Sequence, residues 1–148
     1  MNNFKIREAK IDDVEDICKL EEQYTIDMYT IDSIKSTFQQ DYFHTFVGIK
    51  DNKIIGYVSA TFIFEECNLI KIIVDKNFRH QGYGELLVNF LIHQCKKNGV
   101  NKIFLEVRND NIIAKSFYSK IGFEKESVRK RYYHDGVDAE IFWYYIND

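Results

Sequence analysis

The 148-residue chain, 45% apolar and 29% charged, is long enough to bury a full core without disulfide or metal staples and too apolar to be disordered. Its formal net charge of -3 argues against non-specific nucleic-acid binding, which needs a basic surface, and suits a cationic substrate instead. No apolar run approaches the ~20 residues of a membrane span, and Met1-Asn2-Asn3-Phe4-Lys5 lacks the charged-then-apolar order of a signal peptide. A cytoplasmic protein with one domain over residues 1–148 is expected.

Cys18, Cys67 and Cys95 are odd in number and lack the paired spacing of a zinc site, and His44, His80, His93 and His134 are scattered. Free thiols and no metal are expected.

The first predicted element is a short strand near Phe4–Glu8. Asp12 or Asp13 then caps a helix whose buried stripe is Val14, Ile17, Cys18 and Leu20. A second helix is expected over about Ile31–Gln40, with Thr30 or Asp32 near its start. From Thr45 the period shortens: Phe46, Gly48 and Ile49 belong to one strand, and Asp51-Asn52 is a hairpin turn. Ile54–Phe64 reads as a long strand and Asn68–Val74 as another.

Between Ile72-Ile73-Val74 and the next helix lies Arg79-His80-Gln81-Gly82-Tyr83-Gly84. A strand that feeds a glycine turn and then a helix puts backbone N–H groups at the positive helix end, a site suited to phosphate or pyrophosphate. Gly82 and Gly84 remove the Cβ atoms that would hold a ligand off the backbone, and Arg79 adds a charged fork. The plain alternative is a glycine turn joining strand to helix.

The helix Glu85–Asn98 buries Leu86, Leu87, Phe90, Leu91 and Cys95, and Gly99 ends it. Ile103, Leu105 and Val107 then alternate with Phe104, Glu106 and Arg108 on a strand, which turns Glu106 away from the hydrophobic layer. A helix follows from Asn111 to Ile121, stopped by Gly122, with Asn111, Ala114 and Tyr118 on one stripe. Phe123–Tyr132 and Asp138–Ile146 are two strands joined around His134-Asp135-Gly136. Tyr132 and Tyr133, beside Arg129, Lys130 and Arg131, either line a groove or sit on a solvated hairpin. The order predicts a mixed α/β (α+β) fold: a twisted mixed sheet of six or seven strands flanked by about four helices.

Three segments carry a family resemblance: Arg79-x-x-Gly82-x-Gly84; the block Leu105-Glu106-Val107-Arg108 with Asn111, Ala114, Tyr118 and Gly122-Phe123; and Arg129 with Tyr132-Tyr133 and Asp138-Ala139. Together they resemble the GNAT superfamily of acyl-CoA-dependent N-acetyltransferases, and within it the RimI type, which acetylates the N-terminal alanine of a protein of the small ribosomal subunit. The resemblance implies acetyl-CoA as cosubstrate, lying between splayed fourth and fifth strands, with its pyrophosphate on residues 79–84. It implies Ile72, Ile73, Val74, Arg79, His80, Gln81, Gly82, Tyr83, Gly84, Asn111 and Tyr118 as the coenzyme contacts. It further implies Glu106 as general base, Tyr118 as general acid, and a backbone N–H near Val74 for the oxyanion.

The implied acceptor is the N-terminal α-amine of a protein, attacked directly in a ternary complex; a monomer or homodimer is expected. An α-amine, with pKa ~7.7–8.0, is a better match to one carboxylate base than lysine at ~10.4. RimI-like proteins usually carry Pro-Trp-Ser near the acceptor, where this chain has Tyr29-Thr30-Ile31-Asp32-Ser33. That difference keeps a small-molecule amine as the alternative acceptor. A non-catalytic acyl-CoA-binding module is the alternative of another class.

Overall fold

The structure, a computed structural model, describes residues 3–24 and 30–146. Met1 and Asn2, in the segment read for a leader, and Tyr29, in the segment that replaces Pro-Trp-Ser, lie outside the described residues. The elements are β1 (Phe4–Glu8), α1 (Val14–Glu22), α2 (Ile31–Thr37), β2 (Phe43–Lys50), β3 (Lys53–Ile63), β4 (Glu66–Val74), α3 (Tyr83–Lys97), β5 (Lys102–Arg108), α4 (Ile112–Ile121), β6 (Glu124–Arg129) and β7 (Ala139–Tyr145), with single 3-10 turns at Ile11–Asp13 and Lys76–Phe78. Among the described residues, seven strands form one sheet in the order β1-β2-β3-β4-β5-β7-β6, and only β4 and β5 pair in parallel.

Two apolar clusters cover the two faces. Val14, Ile17, Leu20 and Ile34 of α1 and α2 pack on Val47, Tyr57 and Ile73. On the other face Leu87, Val88, Leu91, Ile92 and Cys95 of α3, with Tyr118 of α4, pack on Phe46, Val58, Ala60, Ile103, Leu105 and Val107. Apolar residues two apart along a strand thus meet apolar residues three and four apart along a helix. Asp51 and Asn52 form the β2–β3 hairpin turn with φ of 50° and 66°, the left-handed pair that a two-residue hairpin requires.

Several expected details are corrected. Asp13 precedes α1 but makes no side-chain cap: its carboxylate receives both Arg7 nitrogens at 2.8 and 3.0 Å and the Lys10 N–H at 2.7 Å. Thr30, not Asp32, caps α2, its Oγ1 accepting from the Ser33 N–H. That helix ends at Thr37, where Phe38, Gln39 and Gln40 each donate to the carbonyl three residues back and the coil tightens into turns. Helix α3 starts at Tyr83, and its stripe runs Tyr83, Leu87, Leu91, Cys95; Leu86 lies off that row and is exposed. In α1, Cys18 is only half-buried, whereas Glu21 is fully buried. β6 stops at Arg129 because Arg131 turns with φ of 50°, leaving Tyr132 and Tyr133 in the loop.

Candidate active site

β4 and β5 are registered only at Glu66↔Lys102, Cys67↔Ile103 and Asn68↔Phe104, yet β4 runs on to Val74 and β5 to Arg108. The parallel pair therefore opens into a cleft. The Asp75 N–H donates to the Ile55 carbonyl of β3 at 2.7 Å, so alternation turns the Val74 peptide groups toward the opening. The Val74 carbonyl is satisfied from outside the sheet, by the Tyr24 hydroxyl at 3.0 Å and Arg79 Nε at 3.3 Å.

The loop at the cleft mouth is shaped by its backbone. Asp75 accepts from the Asn77 N–H at 2.9 Å and starts the 3-10 turn. His80 and Gly82 then take φ of 62° and 90°, and α3 begins at once with no side-chain cap on its first turn. The first N–H groups of a helix have no partner within it, so at Tyr83, Gly84 and Glu85 they remain available to an anion. Gly82 is required for its positive φ. At Gly84 the missing side chain also has a packing role: a Cβ there would lie 3.2 Å from the Phe117 ring of α4 and 3.8 Å from Val74. Its absence lets α3 seat on α4. The Tyr83 side chain is buried against Phe4, ring centroids 4.7 Å apart, so the residue offers the loop only its backbone. Gln81 donates to the Asn77 carbonyl at 3.4 Å, and His80 is exposed.

A β-bulge sorts the cleft walls. β3 residues Ser59 and Ala60 pair with Lys71 and Leu69, so Ile70 is extra and the facing of β4 inverts there. Beyond it Ile72 and Val74 pack on the α3 and α4 face, while Ile73 turns toward α1 and Lys71 pairs with Glu21 of α1 at 2.8 Å. On β5 Ile103, Leu105 and Val107 belong to the α3 and α4 face, so Glu106 projects on the α1 and α2 side. Its carboxylate lies 3.7 Å from Arg129. It also faces the Tyr132 phenol, whose pKa it raises by hydrogen bonding.

Tyr118 stands on the other face. Its ring is buried edge-on between Phe117 and Phe123, and burial pushes its phenol above the ordinary tyrosine value. Asn111 caps α4, its Oδ1 accepting from the Ala114 N–H at 3.0 Å.

The geometry also brings in residues that sequence reasoning did not single out. Tyr24 and Gln23, at the end of α1, reach the cleft across about fifty positions, a separation that leaves no spacing signal. Arg108 grips Asp110 at 3.1 Å and Asp135 at 2.6 Å and lies over the Tyr133 ring, tying the β5–α4 turn to the β6–β7 loop.

A parallel strand pair that opens toward a cap-free helix N-terminus has counterparts among known proteins. Residues 11–123 match the model of the acetyltransferase (GNAT) family. The chain belongs to that family. It is an acetyl-CoA-dependent N-acetyltransferase, as the resemblance implied. A Haemophilus influenzae protein named ribosomal protein bS18-alanine N-acetyltransferase is 32% identical over 121 residues, 82% of each chain. The crystal structure of the ribosomal-protein-S18-alanine N-acetyltransferase from Escherichia coli superposes with a TM-score of 0.88 at 26% identity, over 98% of this chain and 95% of that one. PaiA N-acetyltransferase from Thermoplasma acidophilum, solved with coenzyme A, shares the fold at a TM-score of 0.80 and 18% identity, over 95% of this chain and 99% of that one. Among the described residues, no helix is long and apolar enough to cross a membrane.

Proposed function

We propose that this GNAT enzyme acetylates the N-terminal α-amine of a protein, with the alanine terminus of ribosomal protein S18 as its acceptor. The observation that carries the reading is the open β4–β5 cleft with Glu106 on one face and Tyr118 on the other. Coenzyme and acceptor then enter from opposite sides and meet in a ternary complex.

The residues present fit the coenzyme. Backbone N–H groups of the 79–84 loop and of α3's first turn would hold its pyrophosphate, with Arg79 beside them. Ile72 and Val74 line one wall of the cleft and Tyr118 stands behind it. Bound acetyl-CoA supplies a thioester, so attack by an amine forms the amide C–N bond, breaks C–S and releases the thiol.

Glu106 takes the proton from the attacking amine, directly or through one water. The Val74 N–H, turned into the cleft, meets the carbonyl oxygen as negative charge develops on it. Tyr118 addresses the sulfur. Its phenol is protonated throughout the neutral range, and burial raises its pKa further; as general acid it donates to the departing sulfur, so that the coenzyme leaves as the thiol. The Tyr132-Tyr133 loop beside Glu106 borders the acceptor side.

The test offers acetyl-CoA with an alanine-starting S18 peptide and a panel of polyamines, amino acids and aminoglycosides, and reads thiol release and acetylated product. The expected result is rapid peptide acetylation. Rapid small-amine turnover with no peptide product replaces the acceptor, and coenzyme binding without turnover on any amine replaces catalysis with binding.

A further inference from the structure

The end of α1 is fastened to the cleft mouth by two consecutive side chains. Gln23 donates from Nε2 to Asp75 at 3.3 Å and accepts at Oε1 from the Lys76 N–H at 2.9 Å, so it holds the start of the 3-10 turn. Tyr24 reaches one residue further back. Its hydroxyl donates to the Val74 carbonyl at 3.0 Å, and Arg79 Nε donates to the same oxygen at 3.3 Å. The Arg79 guanidinium also rests over the Tyr24 ring, 4.6 Å from its centroid.

These contacts close two gaps created by the opening of the sheet. A carbonyl at the end of β4 has lost the strand partner that would normally bind it, and two side chains replace that partner. A long arginine at the entrance of an anion loop is otherwise free to sample many rotamers, all of which binding must freeze. Stacking on a tyrosine face confines it beforehand.

We propose that Tyr24 is a positioning residue for acetyl-CoA: its ring sets Arg79 at the entrance of the pyrophosphate loop, and its hydroxyl holds the Val74 carbonyl at the cleft. The assignment rests on reading residues 79–84 as the coenzyme loop. The two handles act on different steps. The ring acts on coenzyme affinity through Arg79, and the hydroxyl acts on turnover by fixing the Val74 carbonyl and, through it, the residue whose N–H meets the oxyanion.

The variants Tyr24→Leu, Tyr24→Phe, Arg79→Ala and Tyr24→Leu/Arg79→Ala separate these effects when coenzyme A binding is measured by calorimetry and acetyl transfer by steady-state kinetics. Tyr24→Leu is expected to weaken coenzyme A about threefold to fivefold, and that loss should vanish in the Arg79→Ala background. Tyr24→Phe keeps the ring, so KM for acetyl-CoA should stay within about twofold while kcat falls about twofold to tenfold, the range of one net hydrogen bond. Wild-type affinity in Tyr24→Leu, or equal losses with and without Arg79, overturns the role of the ring. Wild-type kcat in Tyr24→Phe overturns the role of the hydroxyl. If the wild-type chain takes up no coenzyme A, the loop assignment falls and this one with it. Should Tyr24→Leu melt below the assay temperature, the near-isosteric Tyr24→Phe decides by its split between kcat and KM.

Discussion

At the scale of single residues, the site separates groups that act by charge from groups that act by having no side chain. Glu106 is the one carboxylate assigned to chemistry, half-buried between Arg129 and Tyr132. Glu106→Gln keeps its shape and removes its basicity. Turnover should fall about 10²–10⁴-fold, the usual contribution of a general base, while coenzyme A affinity measured by calorimetry stays at the wild-type value. An unchanged kcat at saturating peptide would remove Glu106 from the mechanism. The two loop glycines should fail differently. Gly82→Ala strains a φ of 90° and should weaken coenzyme A together with stability. Gly84→Ala pushes a methyl group to 3.2 Å from Phe117 and is first a packing defect. Phe117→Leu should therefore recover the melting temperature of Gly84→Ala and do nothing for Gly82→Ala. Equal recovery of both would show that the clearance at Gly84 is not about packing.

At the scale of elements, α4 must sit at a fixed height on the sheet for Tyr118 to act as proposed, and Glu140 holds it there. This buried β7 carboxylate receives Lys115 of α4 at 2.8 Å and Asn109 of the β5–α4 turn at 2.8 Å, with Lys125 of β6 at 3.5 Å. Lys115 is the main reason its pKa lies below the ordinary glutamate value. Asp13 is likewise lowered, chiefly by Arg7, which ties β1 to the start of α1. A carboxylate whose folded pKa is depressed stabilises fully above its unfolded pKa, and that contribution is lost as pH falls through the folded value. Stability should therefore decline below about pH 5, where free Asp and Glu begin to protonate. Glu140→Gln should cost about 1.5–3 kcal/mol at pH 7, the range for a hydrogen bond to a charged group. The variant should also show a shallower acid limb in denaturant titrations. An acid limb of wild-type slope would mean that Glu140 does not carry this dependence.

At the scale of the whole molecule, the sheet bears two helical layers and opens between them, so a ligand in the cleft touches both β4 and β5. Binding only the folded state, coenzyme A at one hundred times its dissociation constant adds ~2.7 kcal/mol. For a chain of this length that raises the melting temperature by roughly 6–10 °C. Scanning calorimetry with and without coenzyme checks this, and coincident transitions at saturating coenzyme would contradict a built site.

Much of this architecture is written locally. The β5 alternation of Ile103, Leu105 and Val107 against Glu106, the left-handed turn at Asp51-Asn52, and the Gly99 and Gly122 stops follow from side-chain period and backbone freedom within a few positions. For the same reason the strand–loop–helix around Gly82 was legible as a glycine turn that leads straight into a helix, and the downstream block around Glu106 and Tyr118 as acetyltransferase-like. Tertiary structure alone decided the rest. The bulge at Ile70 sets which β4 residues face α1, and Phe117 explains Gly84. Tyr24 meets Val74 and Arg79 from half a hundred positions away. Such contacts depend on where separate elements come to rest against one another, and hydrophobic burial, which drives that docking, has no period and no direction along the chain.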